Sequence, residues 1–172
     1  MPLEIERKFL VRGDYKSLAA SFSRIRQGYI CSGHGRTVRV RLRAEYRMDG
    51  LPEMAHGWLT IKGPSRSGGL TRYEFEKEIT HDEALSLLTL CEPGIVDKTR
   101  WLVPYGEHLF EVDEFHGDND GLVVAEVELR SENEPFERPP FLGDEVTGLR
   151  RYYNSCLRAH PYKDWTPSER QS

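Results

Sequence analysis

With 172 residues and 38% hydrophobic content, the chain can bury one sizeable core, and its formal net charge of −4 lacks the basic excess of a general nucleic-acid binder. It has no run of about 18 apolar residues that could cross a membrane, and no basic segment leads into an apolar run at its start. We therefore expect a soluble cytoplasmic protein with neither a membrane nor a nucleic acid as its partner.

Eight segments show the alternation of polar and apolar residues that is typical of β-strands, and turn-forming residues join most of them. The segments are residues 3–11, 24–31, 37–45, 57–63, 72–80, 98–103, 108–115 and 122–130. Eight strands joined mainly by hairpins predict an antiparallel barrel or sandwich.

Three helices are predicted, over residues 15–22, residues 81–90 and a stretch from about residue 147 to residue 160. Thr80 and Glu83 form the capping-box pattern that opens the second helix. Pro161 ends the third, which carries an apolar stripe that includes Leu149 and Leu157. Together with the strands, these helices predict an α+β fold.

The chain is predicted to form one domain over residues 1–160. Residues 161–172 are polar, and we expect them to form a poorly ordered C-terminal tail, with Tyr162 and Trp165 as the exceptions.

Charged residues are sorted by sign along the predicted strands. The basic ones are Arg39, Arg41, Arg43, Lys62, Lys98 and Arg100, and the acidic ones are Glu74, Glu76, Glu78, Glu111, Asp113, Glu126 and Glu128. Residues i and i+2 on one strand face lie about 6.5–7 Å apart, so three like charges repel each other unless an opposite charge lies over them. A solvated face would more readily mix both signs along each strand.

The apolar residues between these charges, such as Val38, Val40 and Leu42, can be buried beneath helices. If they point outward, the charged residues point inward and line a water-filled lumen. Glu4, Glu6 and Lys8 bring two carboxylates and an ammonium to the same side of the first strand. Carboxylates and phosphate oxygens together suit a hard divalent cation, so the pattern predicts a site for a metal and a chain of phosphates.

The order of these residues resembles the CYTH family, also called the triphosphate tunnel metalloenzyme superfamily. The resemblance covers nearly the whole chain and is carried by Glu4-x-Glu6-x-Lys8, Arg39-x-Arg41, Lys62 and Glu126-x-Glu128. It implies an eight-stranded antiparallel β-barrel, the triphosphate tunnel, with flanking helices. It also implies Mg²⁺ or Mn²⁺ as cofactor and a triphosphate-containing small molecule as substrate.

The resemblance also implies roles for individual residues. Metal ligands are expected at Glu4, Glu6, Asp113, Glu126 and Glu128, with Glu76 as a further candidate. Phosphate-binding cations are expected at Lys8, Arg39, Arg41, Lys62, Lys98 and Arg100. The Gln27-Gly28-Tyr29 stretch looks most like the short bacterial tripolyphosphatase-like branch, in which a tyrosine and the first lysine activate water. Lys8 and Tyr29 are therefore candidate catalytic residues, and a lining role for Tyr29 is an equal alternative.

The function that follows from the resemblance is hydrolysis of inorganic tripolyphosphate, or a related triphosphate, to phosphate and pyrophosphate. Two alternatives within the family are a thiamine triphosphatase and a class IV adenylate cyclase, whose nucleophile is the substrate's own 3′ hydroxyl. An alternative outside enzymology is a polyphosphate- or nucleotide-binding module that uses the same residues. We expect a monomer or a homodimer.

Overall fold

The computed structural model describes residues 3–170, and within that range every side chain except those of residues 52 and 53. The described part contains nine strands: β1 (Leu3–Val11), β2 (Ser21–Gly33), β3 (Arg36–Tyr46), β4 (Pro52–Lys62), β5 (Thr71–Ile79), β6 (Val96–Tyr105), β7 (His108–Phe115), β8 (Val123–Glu128) and β9 (Leu142–Glu145). It also contains two α-helices, α1 (His81–Leu88) and α2 (Asn154–Leu157), and several short 3₁₀ turns. No helix within residues 3–170 is long and apolar enough to cross a bilayer.

The predicted eight-stranded antiparallel barrel is confirmed. Its strands follow the order β5-β4-β3-β2-β6-β7-β8-β1, and pairing of β1 with β5 closes the sheet. Only the first residues of β1 make that closing pair, with Leu3 opposite Tyr73, and its last residues pair with β9 instead. Strand β9 was not predicted, because Leu-Gly-Asp-Glu has a single apolar residue and so shows no alternation.

The second predicted helix is confirmed as α1, and its capping box is present: the Thr80 hydroxyl accepts from the Glu83 N–H, and the Glu83 carboxylate accepts from the Thr80 N–H.

The predicted helix over residues 15–22 is wrong. A 3₁₀ turn over Lys16–Leu18 stands there, and β2 already begins at Ser21. Strand pairing of Ser21 with Leu102 on β6 therefore overrides the weak local preference for a helix.

The long helix predicted from about residue 147 to residue 160 is also wrong. The chain forms a 3₁₀ turn over Arg150–Tyr152 and then the single turn of α2. Two backbone conformations interrupt it: Gly148 has a φ of 78°, and Tyr153 is extended. Gly148 fits because a Cβ there would lie 2.0 Å from the Gly68 carbonyl oxygen.

The main apolar core lies outside the barrel, on the outward faces of β1, β6, β7 and β8. Its buried members include Phe9, Val112 and Val127. The prediction that helices cover this face is wrong here, because Phe136 and Phe141 from the loop between β8 and β9 pack on it.

A second apolar cluster closes one end of the barrel from within. Leu10 and Val124 share the inward phase of Lys8 and Glu126, and they pack with Tyr152, Leu157 and Trp165 from the C-terminal segment. The charged lumen therefore occupies the rest of the interior, and the C-terminal segment forms part of its wall.

Trp165 ties residues after 160 into this cluster. Its side chain is 5% exposed, its ring lies edge-on to Tyr152 at 5.1 Å, and its Nε1–H donates to the His160 carbonyl at 3.0 Å. We expect Trp165→Ala to lower the free energy of unfolding by about 3–5 kcal/mol, as large-to-small changes at buried aromatic residues do. Urea denaturation measures this, with Lys163→Ala as the control in the same segment. Equal effects of the two substitutions would show that this segment does not support the fold.

Candidate active site

The barrel encloses a cavity of about 230 Å³ whose lining is almost entirely charged or polar. Its charged lining residues are Glu4, Glu6, Lys8, Arg39, Arg41, Arg43, Lys62, Arg72, Glu74, Glu76, Arg100, Glu111, Glu126 and Glu128. The prediction of a charged lumen is thereby confirmed, as is the prediction that Arg39, Arg41 and Lys62 share one cavity with Glu4 and Glu126.

Strand register places the acids of β1 and β8 side by side. Glu6 lies opposite Glu128, and Lys8 lies opposite Glu126, with the Lys8 Nζ 3.3 Å from a Glu126 carboxylate oxygen. Directly opposite residues in an antiparallel pair bring their Cβ atoms to about 4.5–5.5 Å. Two neighbouring strands thus concentrate three carboxylates and one ammonium on one wall.

The carboxyl groups on this wall differ in their pKa values. Burial, then Glu126 and Glu4, raise the pKa of Glu6 to about 8. Burial also raises the pKa of Glu128, with Glu4 and Glu111 adding to it. Burial opposes ionisation of Glu126 too, but Lys8 and Arg100 outweigh it and hold its pKa well below its usual range. Burial is the main cause of both raised pKa values, and neighbouring carboxylates add to it.

Arginines from β3 form the facing wall. Arg39 donates from Nη2 to the Thr60 hydroxyl at 3.0 Å, and Arg41 donates from Nε to the Gln27 carbonyl oxygen at 2.9 Å. The Arg39 Nε–H is buried and has no partner among the described residues. Burial, together with Arg39 and Arg100, lowers the pKa of Arg41 to about 9. Crowded cations with an unused donor favour a bound anion.

Several lumen groups form ion pairs with each other along the barrel wall, on strands that are neighbours or one strand apart. Lys62 donates to both oxygens of Glu4, at 2.7 and 2.9 Å, and Arg72 lies 3.5 Å from the same carboxylate. Arg39 lies 3.5 Å from Glu76. Within residues 3–170, no three acidic, histidine or cysteine side chains converge closely enough to chelate an ion as they stand. Glu4 is held by Lys62 instead.

Lys98 and Asp113 do not line the cavity, although the sequence analysis assigned them to phosphate and metal. Lys98 is fully buried, and its Nζ donates to Asp113 at 2.6 Å and to Asn154 at 3.1 Å. Asp113 accepts two further hydrogen bonds from Arg100, at 2.7 and 2.9 Å. Burial lowers the pKa of Lys98 to about 7. Lys98 and Asp113 therefore lie outside the cavity lining. Of the three residues, only Arg100 lines the lumen.

Tyr29 and Lys8 both line the cavity. Tyr29 is 4% exposed, and its hydroxyl accepts from the Gln27 amide at 3.3 Å. Burial raises the Tyr29 pKa, despite nearby Arg39 and Arg41. Burial would lower the pKa of Lys8, but Glu126 and Glu6 outweigh it and raise that pKa. At neutral pH both side chains therefore keep their protons and act as hydrogen-bond donors.

Nine lumen residues lie outside the set that was given site roles from sequence: Thr37, Arg43, Thr60, Arg72, Glu74, Glu111, Tyr153, Asn154 and Ser155. Arg43, Glu74 and Glu111 already belonged to the charged residues expected to point inward, and Arg72 shares that phase with Glu74 and Glu76 on β5. That phase was the signal that could have given Arg72 a site role. Tyr153 gave no such signal, because it falls in the segment predicted to be a continuous helix.

The acid wall makes stability depend on pH when metal is removed. Glu6 and Glu74 have pKa values of about 8 and about 7 in the folded chain, against 4.5 for an unperturbed glutamate. The folded state therefore binds more protons than the unfolded state between about pH 5 and 8, so stability falls as pH rises through that window. We expect the melting temperature in EDTA to fall accordingly, and Glu6→Gln to flatten the dependence.

The lowered pKa values of Glu4, Asp113 and Glu126 act at lower pH, outside this window. The lowered pKa of Lys98, about 7, opposes the effect only above about pH 7, so the melting temperatures are compared between about pH 5 and 7. Glu107→Gln, at an exposed position in the turn between β6 and β7, is the matched control. A melting temperature that rises with pH in the wild-type chain would contradict the assigned charge state of Glu6.

Comparisons with known proteins identify a family and relatives that this chain resembles over nearly its whole length. The CYTH domain model matches residues 2–155, a range that contains every residue lining the lumen. An inorganic triphosphatase of Acetivibrio thermocellus is 44% identical over 167 residues, which cover 96% of this chain and 99% of that protein. An inorganic triphosphatase of Nitrosomonas europaea is 35% identical over 165 residues, which cover 90% and 95%.

The fold agrees with these matches. A crystal structure of an inorganic triphosphatase superposes on this chain with a TM-score of 0.60 at 30% identity, covering 92% of this chain and 95% of that one. With the family model matched over most of its length and its relatives matched nearly end to end, the chain belongs to the CYTH family.

Proposed function

We propose that the chain is a metal-dependent inorganic triphosphatase that hydrolyses tripolyphosphate to phosphate and pyrophosphate inside the lumen. One observation carries the proposal: Arg39, Arg41 and Lys62 face Glu6 and Glu126 within a single enclosed cavity. The inorganic triphosphatases that are 44% and 35% identical over nearly their full lengths support the same activity.

The donor set fits Mg²⁺ or Mn²⁺. Triphosphatases of the CYTH family are metal-dependent, and hard cations of this kind take carboxylate and phosphate oxygens. Glu6, Glu126 and Glu128 would hold the ion together with Glu4, and burial together with neighbouring carboxylates raises the pKa values of Glu6 and Glu128. A bound metal would polarise the reacting phosphoryl group. The Glu76 side chain is 41% exposed and forms an ion pair with Arg39 at 3.5 Å, so in this proposal it orients that arginine.

The ion pair between Glu4 and Lys62 would couple the binding of metal to the binding of substrate. Glu4 and Lys62 neutralise each other at 2.7 Å. A metal would recruit the Glu4 carboxylate, and the released Lys62 ammonium would then be free for a phosphate oxygen. We therefore expect each ligand to strengthen binding of the other.

The cations position the phosphate chain. Arg39 and Arg41 present guanidinium groups that match phosphate oxygens bidentately. Arg100, whose three guanidinium nitrogens already donate to Asp113 and Glu111, adds positive charge to the site. In this proposal Asp113 orients Arg100 rather than binding metal, since both of its oxygens already accept from Arg100. Lys98 in turn donates a hydrogen bond to Asp113 and holds that carboxylate in place.

Lys8 and Tyr29 orient the attacking water as hydrogen-bond donors, because neither gives up its proton at neutral pH. The Tyr29 hydroxyl is held by Gln27, which also accepts from Arg41. A single amide thus links the tyrosine to the phosphate-binding wall.

We propose the cytoplasm as the compartment. All three cysteines, Cys31, Cys91 and Cys156, are free thiols, as in most proteins of a reducing compartment. A monomer or a homodimer remains the prediction for the oligomeric state.

Phosphate release from tripolyphosphate, ATP and thiamine triphosphate, with Mg²⁺ and with Mn²⁺, tests the proposal. Cyclic AMP formed from ATP is measured in the same reactions. We expect tripolyphosphate to be cleaved with the highest kcat/KM, and no cyclic AMP. Cyclic AMP as the main product, or no hydrolysis of any substrate with either metal, would refute it.

A further inference from the structure

A second cavity of about 740 Å³ adjoins the lumen, and we call it the antechamber. Thr37, Arg72, Tyr153 and Ser155 line both cavities, so the two are continuous. Its outer walls come from the β2–β3 turn, the loop between β4 and β5, and the C-terminal segment around α2.

The antechamber is basic and its lining contains no acidic residue, although the whole chain has a net charge of −4. All its lining residues belong to the described part of the chain, and four of them are arginines: Arg36, Arg72, Arg150 and Arg158. Two of these are neutralised from outside the lining, Arg72 by Glu4 at 3.5 Å and Arg158 by Glu92 at 2.8 Å.

Arg36 and Arg150 are different. Both are exposed, and neither forms an ion pair or side-chain hydrogen bond with any residue whose side chain is described. Two unneutralised guanidinium groups therefore face a cavity that leads directly to the triphosphate site. Such a concentration of one sign of charge in a concave site attracts polyanions.

We infer that the antechamber binds the phosphates of a linear polyphosphate that extend beyond the three held in the lumen. The inference rests on the proposed function. Arg72 lines both cavities, whereas Arg36 and Arg150 line only the antechamber, so a phosphate chain that extends from the lumen into the antechamber passes Arg72 and reaches Arg36 and Arg150. Guanidinium groups bind such phosphates through paired, charge-assisted hydrogen bonds.

The same cavity is poorly suited to a nucleoside. A base is normally held by stacking on an aromatic face, and the lining offers one large aromatic ring, that of Tyr153, besides the imidazoles of His34 and His160. The Tyr153 ring already has the Lys8 Nζ at 5.3 Å and the Arg72 guanidinium carbon at 5.4 Å from its centroid. The antechamber therefore favours further negative charge over a neutral ring.

The test compares the wild-type chain, the double variant Arg36→Ala/Arg150→Ala, and Arg26→Ala. Arg26 is an exposed arginine on the outward face of β2, so it controls for loss of surface charge. Initial rates are measured with tripolyphosphate and with a long linear polyphosphate at fixed free metal and salt. Where the long chain is not cleaved, its inhibition constant against tripolyphosphate hydrolysis gives the same comparison.

We expect the double variant to lose about tenfold or more in kcat/KM, or in inhibition constant, for the long polyphosphate. Its kcat/KM for tripolyphosphate should change by less than about twofold, since neither arginine lines the lumen. Arg26→Ala should leave both values at the wild-type level, and the melting temperature of each variant verifies that it is folded.

Equal losses for both phosphates, or no loss for either, would overturn the inference. So would a selective loss with ATP or with a 5′-triphosphorylated RNA, because the antechamber would then recognise a nucleotide. These outcomes differ from a failure of the proposed function, which would show itself as a wild-type chain that does not hydrolyse tripolyphosphate.

Discussion

Glu6→Gln is expected to lower the turnover of tripolyphosphate at limiting metal by about 10²-fold or more while leaving the metal-free fold at least as stable as wild type. Activity falls because the amide cannot supply the charge that holds a metal, whose stabilisation of the transition state is worth several kcal/mol. Stability does not fall because the wild-type carboxyl is buried beside Glu126 and Glu4, which raises its pKa to about 8. The two effects therefore have opposite signs.

Steady-state rates across a metal titration and thermal melting in EDTA measure both effects. Glu4→Gln should give a similar loss of activity, but at a cost in stability, because it breaks the ion pair with Lys62. Glu107→Gln removes an exposed carboxylate in a turn and is the control. Unchanged turnover of Glu6→Gln at every metal concentration would refute the ligand role.

Tyr29→Phe is expected to lower kcat for tripolyphosphate by about 10²-fold, at the lower end of what a positioned proton donor or acceptor contributes, with a much smaller change in KM. The raised pKa of Tyr29 argues for orientation of water rather than removal of its proton, which is why the smaller figure is expected. An adenylate cyclase has no attacking water, so cyclic AMP formation would survive the same substitution.

Tyr73→Phe is the matched control, because Tyr73 lies on the outward phase of β5 with its hydroxyl bound to Arg66. Full tripolyphosphatase activity in Tyr29→Phe would show that this residue only lines the cavity. Orientation of water would then fall to Lys8 and the metal.

The barrel and its charged interior could be predicted because a period of two decides which face of a strand is buried. Arg39 and Arg41 alternate with Val38 and Val40, and one structural assumption, that the apolar phase points outward, placed both arginines in the lumen. The same rule would have included Arg72, which shares the phase of Glu74 and Glu76 on β5.

What the sequence could not predict depends on contacts between distant residues. Inward phase does not distinguish Lys98, buried on Asp113, from Arg100, which reaches the lumen two residues later. The apolar stripe from residue 147 to residue 160 indicated a helix, but the close approach of Gly148 to the loop around Gly68 interrupts it. At residues 147–160, contacts between distant parts of the chain override the local periodicity. At Lys98, a contact that no local pattern encodes decides whether the side chain reaches the lumen.

The most direct test is a crystal structure of the chain with Mn²⁺ and a non-hydrolysable imido analogue of tripolyphosphate, with the metal located by its anomalous scattering. Our account predicts a manganese peak inside the barrel with oxygen ligands from Glu4, Glu6, Glu126 and Glu128. It also predicts that the analogue contacts Arg39, Arg41 and Lys62, and that Lys62 has left Glu4. Metal and analogue bound outside the barrel, with the Glu4–Lys62 pair intact, would contradict it.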